Sequence, residues 1–336
     1  HSKGIVYGDI SSNNIFVSKE LSHSEIWFID CDNIDYVYDI NYTKGTEGFC
    51  SPEIRKSLTP YNMAKQKNTI ENDIYAFANL AFNILFLADP FKGSIIWKEN
   101  ETSEDNEDDW WDVEEDDDNK KFDLGEVSWV GENDEGNKPI YGLSRDMNKM
   151  MSPELNNLFD RTFSQKGKEK KLTRPTSFEL TYEIVKELDR TIKCKNCEME
   201  YVIRNEENEC SWCDCTHNKI LKVNTFKLYP NGKKIKIWDF IKEINNEKDE
   251  ISIPVRIAED FLIDRLEEEL FKIKFVDETM IVCYFNEEFE FKLADDKNEK
   301  KLYEKVIIEK KKNIQLFCDK KNSPFVKNIL IEVEII

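Results

Sequence analysis

The sequence predicts an α+β chain in three parts: a mainly helical part over residues 1–191, a small cysteine-rich unit over 192–215 and a β-rich part over 216–336. Three observations predict it. Asn72 to Phe86 is apolar on nearly every face, as a buried central helix requires, and Leu155, Leu158, Phe159 and Phe163 recur at helical spacing. Two Cys-x-x-Cys pairs follow, at Cys194/Cys197 and Cys210/Cys213. Beyond Thr216, short runs of β-branched and aromatic residues alternate with turn residues.

The first part opens on Tyr7-Gly8-Asp9-Ile10-Ser11-Ser12-Asn13-Asn14, with Asp9 and Asn14 five residues apart. An apolar strand, Ile26-Trp27-Phe28-Ile29, then delivers Asp30-Cys31-Asp32. Gly45-Thr46 and Ser51-Pro52-Glu53 come next. Phosphoryl transfer needs a carboxylate near the acceptor hydroxyl and metal ligands held against the phosphates, and the spacing of Asp9 and Asn14 resembles the protein-kinase pattern, in which the catalytic-loop Asp is followed five residues later by a magnesium-ligating Asn. Taken with the later Asp73 and Arg174-Pro175-Thr176, this order of motifs resembles the C-terminal lobe of the bacterial eukaryotic-like (Hanks-type) Ser/Thr protein kinases. The resemblance spans about residues 1–190.

The resemblance implies roles residue by residue. Asp9 would orient the acceptor hydroxyl, Asn14 and Asp30 would ligate Mg²⁺ (or Mn²⁺) beside ATP, and Ser11 stands where the family has a Lys that contacts the transferred phosphate. Thr46 would lie on the substrate floor and bond the catalytic Asp, which favours Ser or Thr as the acceptor. Glu53 would need a buried cationic partner, and Arg174 is where the family places it. Asp73 would hold the catalytic-loop backbone; by itself it also reads as a helix N-cap, for which Asp is well suited, and both roles can hold at once. Tyr7 would pack beneath the metal site, and His1 would be structural.

Three positions depart from the family: Gly8 replaces an Arg, Ser11 a Lys and Asp32 a Gly. No Gly-x-Gly-x-x-Gly occurs anywhere in the chain, which opens at His1. The resemblance therefore implies a lobe whose N-terminal partner lobe, with most of the ATP site, is missing; such a chain would transfer phosphate poorly alone. It also implies a protein substrate and a cytoplasmic location. The alternative is a pseudokinase or a scaffold with a zinc-stabilised binding module.

Composition bounds the partners. A net charge of −20 and a pI near 4.8 disfavour nonspecific contact with nucleic acid or anionic membrane. The helix at 72–86 is shorter than the roughly 20 apolar residues of a membrane span and is broken by asparagines. Much of the acidity lies at about 99–121, too self-repelling to fold compactly. That stretch is expected to be a solvated insertion, with docking of a basic substrate on Trp110 and Trp111 as the alternative. Helices are expected from Ser152 to Phe163 and from Ser177 to about Thr191.

The cysteine pairs predict a zinc ribbon, because each knuckle offers two thiolates from one tight turn and four complete a tetrahedral Zn²⁺ shell. Disulfides or buried thiols are the competing reading. Cys215 and His217 lie close enough to compete as ligands, and Lys193 and Lys195 give the first knuckle a small basic edge. In such a small unit the metal would be structural. The β-rich part is expected to use Ile220–Tyr229, 233–237, 271–275, 280–285, 289–293, 314–318 and 329–336 as strands, with a turn at Pro230-Asn231-Gly232. A helix is expected at most over 258–270, and the lysine clusters at 297–301 and 310–312 are expected to be solvated loops. Binding a peptide or the kinase lobe is its expected task.

Overall fold

The computed structural model describes residues 1–18, 25–37, 45–58, 67–94, 126–132, 137–138, 150–204, 209–216, 219–245, 249–258, 268–275, 280–294, 301–302, 305–309, 313–321 and 328–336. The acidic stretch with Trp110 and Trp111, His217, the lysines at 310–312 and most of the expected helix at 258–270 lie outside them. The chain divides into two compact units, His1–Glu183 and Ile184–Ile336. It is α+β, and strand outweighs helix across the described residues, so helix does not dominate the chain. The reason is the second unit, where nearly every described element is a strand.

In the first unit, β1 (Ile5–Val6), β2 (Ile15–Val17), β3 (Ile26–Phe28) and β4 (Asp35–Tyr36) form two short antiparallel pairs, β1 with β4 and β2 with β3. Helices α1 (Pro52–Lys56), α2 (Ile70–Phe86), α3 (Pro153–Phe163), α4 (Gln165–Glu169) and α5 (Ser177–Asp189) follow, the last crossing the division between units. Helix α2 starts where Thr69 caps it: the Thr69 N–H donates to Asn72 Oδ1 at 2.8 Å, one half of a capping box. Thr69 is therefore the N-cap. Asp73 is not, because it already lies inside the first turn with its side chain committed elsewhere.

The core of this unit is aromatic. Phe82 meets Phe159 edge-on at 5.3 Å between ring centroids and Phe86 at 4.6 Å, while Phe163 reaches Tyr75, Phe91 and Trp129. Phe82, Phe159, Phe163 and Trp129 are fully buried, and each contributes about 2–3 kcal/mol of apolar transfer free energy. Helix α3 is launched by Ser152, whose Oγ accepts from the Leu155 N–H at 3.1 Å, with Pro153 at its first position. Gly167 of α4 admits no side chain, since a Cβ there would stand 2.3 Å from the Arg161 carbonyl oxygen.

The second unit begins with β5 (Thr191–Lys193) and β6 (Glu200–Val202), an antiparallel pair. Next come β7 (Ile220–Leu228), β8 (Lys234–Glu243), β9 (Glu250–Pro254), β10 (Glu269–Phe275), β11 (Met280–Phe285), β12 (Phe289–Leu293), β13 (Lys301–Leu302), β14 (Lys305–Glu309), β15 (Asn313–Lys320) and β16 (Ile329–Ile335). Six strands form a sheet in the order β13-β12-β15-β16-β7-β8, and four form another in the order β14-β11-β10-β9, with antiparallel neighbours throughout. The sheets meet through Phe291 of the six-stranded sheet, which packs on Phe285 at 4.5 Å and Phe271 at 5.9 Å from the other. Strand β16 is buried on both sides, with Ile329, Ile331 and Val333 on one and Leu330 on the other. The β7–β8 turn falls at Pro230-Asn231-Gly232, where Gly232 takes a φ of +81°. Strands β9, β13 and β14 add to those expected from the sequence, and Lys301 lies in a strand rather than in a loop.

Candidate active site and metal centre

The loop between β1 and β2 carries Asp9, and three elements fix it. Asp73, on the first turn of α2, is 2 % exposed. Its carboxylate accepts from the Tyr7 N–H at 2.7 Å and the Gly8 N–H at 2.9 Å, and also meets His1 Nε2 at 3.0 Å. Burial pushes the Asp73 carboxyl up to about 6, against the opposing pull of those two N–H groups. On the far side, the Tyr7 hydroxyl donates to the Ile29 carbonyl, and the Ile29 N–H donates to the Asn14 carbonyl at 2.9 Å. These bonds tie the Asp9 loop to the end of β3, where Asp30 emerges.

Each carboxylate oxygen of Asp9 receives one hydrogen bond. Thr46 Oγ1 donates to Oδ1 at 2.7 Å, and Asn14 Nδ2 donates to Oδ2 at 3.0 Å as well as to the Asp9 carbonyl at 2.9 Å. A carboxylate has about four lone-pair sites, so further acceptor capacity remains on a group now held in one orientation. Asn14 is buried, and its donor use toward Asp9 leaves the amide oxygen as the atom a cation would take. Asp30 is exposed and adopts φ +56°, ψ +55°, a left-handed conformation that Asp tolerates better than most residues. Ser11 behaves differently: it is fully buried, and its Oγ has no partner among the described residues.

Thr46 sits on a loop that the second half of the site holds in place. Gly45 has φ +66°, and a Cβ on it would press on the Cys50 side chain at 3.3 Å. Asn72 Nδ2 donates to Ser51 Oγ at 2.7 Å and to Glu53 Oε1 at 2.6 Å. Glu53 is gripped by Arg174 through Nη1 to Oε1 at 2.8 Å and Nη2 to Oε2 at 2.9 Å. Arg174 also donates to the Glu71 carbonyl at 3.0 Å and lies over the Tyr75 ring at 5.0 Å. The structure thus gathers Asp9, Asn14, Thr46 and Asp73 around one loop, and Glu53 with Arg174 behind it. A groove of 420 Å³ between α3 and α5, lined by Leu158, Phe178, Glu179 and Tyr182 among others, holds none of these residues.

Sequence reasoning did not single out Asn72, Asn79 or Asn83 as site residues. Asn79 Nδ2 donates to the Gly48 carbonyl at 2.8 Å. The available signal was polarity: amides inside a helix that is otherwise apolar must find partners.

In the second unit, Cys194, Cys197, Cys210 and Cys213 bring their four Sγ atoms within 4.8 Å of one another. Two of the separations are 3.6 Å (Cys194 to Cys213) and 3.7 Å (Cys197 to Cys210). A disulfide bond is about 2.05 Å, and all four thiols are free. Tetrahedral zinc with bonds of about 2.3 Å to sulfur needs edges of about 3.8 Å. The cluster therefore fits a zinc ion, which it could hold. The two knuckles repeat each other: Glu198 N–H to Cys194 O at 3.0 Å and Asp214 N–H to Cys210 O at 2.9 Å close the turns, with Glu198 and Asp214 both at positive φ. Backbone N–H groups of Asn196 and Trp212 point to the first sulfur of each knuckle at 3.4 Å.

The thiols are not equivalent. Hydrogen bonds from Asn196 and the Cys215 N–H hold Cys213 down to about 6, whereas burial pushes Cys210 up to about 12. Cys215 is not one of the four clustered ligands, although its carbonyl accepts from the Cys210 N–H at 2.8 Å. Tyr201 is buried in the core beside the cysteine cluster, and Trp212 packs against that core with Nε1 donating to the Glu200 carbonyl. Each lysine of the basic edge faces a carboxylate, Lys193 meeting Glu198 at 3.8 Å and Lys195 meeting Glu243 at 3.1 Å.

No protein-family profile and no curated protein sequence matches this chain. Among solved structures, the chain is similar to the kinase PK-1 of the Cydia pomonella granulovirus, at 16 % identity and a TM-score of 0.32, over 55 % of this chain. The chain spans about half (51 %) of that protein's length. No helix among the described residues is long and apolar enough to cross a membrane.

Proposed function

We propose that the first unit is the catalytic lobe of an ATP-dependent protein kinase acting on Ser or Thr, followed by a structural zinc ribbon and a β-sandwich binding module. The observation that carries this reading is the two-sided grip on Asp9, with Thr46 on Oδ1 and Asn14 on Oδ2. A carboxylate held this way can accept the proton of an acceptor hydroxyl at a fixed place, and orientation is most of what the protein supplies in phosphoryl transfer. Asn14 and Asp30 are the residues that would hold magnesium, which supplies charge neutralisation at the phosphates when bound. Asp73 keeps the loop backbone in place, and Thr46 limits the rotation of Asp9.

The test is transfer of the ATP γ-phosphate to protein Ser or Thr by the protein, beside Asp9→Asn and Asp30→Asn. Loss of transfer in both variants supports the reading; equal transfer in all three overturns it. A pseudokinase scaffold is the second reading. Ser11 favours it, because a fully buried hydroxyl is a poor replacement for a lysine that should touch the transferred phosphate. Nucleotide-independent function with no transfer would establish that alternative.

A further inference from the structure

Helix α2 carries three amides on one side, at positions 72, 79 and 83, separated by seven and four residues and hence superposed along the helix. Asn79 is 1 % exposed, in a helix whose other buried members are mainly apolar. A buried amide costs free energy unless its donors and acceptor are used. Asn83 Nδ2 donates to Asn79 Oδ1 at 2.6 Å and to the Asn79 carbonyl at 2.9 Å. This fixes which way the Asn79 amide turns: its oxygen is taken by Asn83, and its NH₂ reaches the Gly48 carbonyl at 2.8 Å.

Gly48 is two residues from Thr46, the residue that holds Asp9. Its φ of +80° turns the chain there, and a Cβ would meet nothing within 4 Å, so glycine serves the turn rather than a close approach. The same loop is tied to α2 a second time by Asn72, through Ser51 and Glu53. The helix that anchors the Asp9 loop through Asp73 therefore also sets the position of the loop facing it.

We infer that Asn79, oriented by Asn83, is a positioning residue for the acceptor: it holds the Gly48 turn so that Thr46 and a protein hydroxyl meet Asp9 together. The acceptor role rests on the kinase reading above, whereas the tether itself does not. Asn79 touches no reacting atom and acts through Gly48 and Thr46. Its effect belongs on acceptor binding and not on ATP.

The experiment uses Asn79→Leu and Asn83→Leu in the full chain, with half-buried Cys50 as a reporter of the loop. Alkylation by iodoacetamide is followed by peptide mass spectrometry. Exposed Cys31 sets the upper rate, and buried Cys283 and Cys318 report the fold of the second unit. Circular dichroism reports overall folding. Asn79→Leu is expected to raise Cys50 alkylation about ten-fold, and Asn83→Leu about three-fold. On the kinase reading, the KM for protein acceptor rises about ten-fold while the KM for ATP stays unchanged. A folded Asn79→Leu with Cys50 as protected as before overturns the tether. Should Asn79→Leu not fold, Asn83→Leu decides, and an unchanged Cys50 rate there overturns it equally. Faster alkylation with an unchanged acceptor KM overturns the positioning role. Absence of transfer by the unsubstituted protein sinks the kinase reading instead, and is told apart because the alkylation contrast persists.

Discussion

Glu53 and Arg174, 121 residues apart, face each other in a two-pronged ion pair of 2.8 and 2.9 Å, with the Arg174 side chain fully enclosed. The pair joins the first turn of α1 to the turn before α5, and the Glu71 carbonyl and the Tyr75 ring complete the guanidinium's surroundings.

Breaking that pair from one side leaves a charge without its partner. Arg174→Leu is expected to destabilise the first unit by about 3–5 kcal/mol, and Arg174→Leu with Glu53→Leu by clearly less, because apolar replacement of both partners is often close to neutral. Urea unfolding of the three proteins checks this. A double variant no more stable than Arg174→Leu alone would show that the cost comes from packing around Tyr75, not from the orphaned carboxylate.

Asp73 predicts a pH dependence. Its folded carboxyl titrates near 6, above the ordinary value of 3.8, so between those values the folded state binds more protons than the unfolded one. Stability from this group is therefore present below about pH 4 and is lost as pH rises towards 6, by at most about 3 kcal/mol. Other carboxyls, such as Asp239 beside Arg190, are held low and contribute the opposite slope. The difference between the wild type and Asp73→Asn isolates the group: it should shrink as pH rises from 4 to 6. A difference that stays flat across that window refutes the shift.

Much of this was legible in the sequence, and particular residues show where legibility stopped. Apolar spacing located α2 and α3 to within about two residues, because their faces are decided by burial. Strands β11 and β12 were equally plain. Strand β14, Lys305–Glu309, was not, since charged ends and only three apolar residues give no period to read. Which residue caps α2 was not legible, because Thr69, Asn72 and Asp73 are all competent caps, and only the commitment of Asp73 to the Tyr7 and Gly8 N–H groups decides among them. The cysteine cluster was readable because ligand spacing in a knuckle is local. Asn79 was not, because its partner Gly48 is brought to it only by the fold.

The cysteine cluster makes a stoichiometric prediction. Purified chain is expected to carry about one zinc ion, bound by four thiolates. Cys197→Ser and Cys210→Ser should each lose it, whereas Cys215→Ser should keep it. Elemental analysis with a colorimetric zinc release assay gives the answer. Retention by Cys210→Ser together with loss by Cys215→Ser would reassign the ligand set. Because metal binding and folding are linked, chelation should also expose the 191–216 region to proteolysis.

The last prediction separates orientation from mere packing at Thr46. Its Oγ1 gives Asp9 a hydrogen bond of 2.7 Å to an ionised oxygen, an interaction worth about 1.5–3 kcal/mol. Thr46→Val keeps the shape and removes the donor. On the kinase reading proposed above, it should lower kcat for phosphate transfer about 10- to 100-fold with little change in the KM for ATP. Thr46→Ser keeps the donor and should stay within about three-fold of the wild type. If valine and serine reduced kcat equally, the lost methyl packing or a shifted loop would be responsible, and the hydrogen bond to Asp9 would have no part in the rate. A drop confined to valine ties the rate to the donor atom, which is the bond by which the Thr46 loop and the Asp9 loop become a single site.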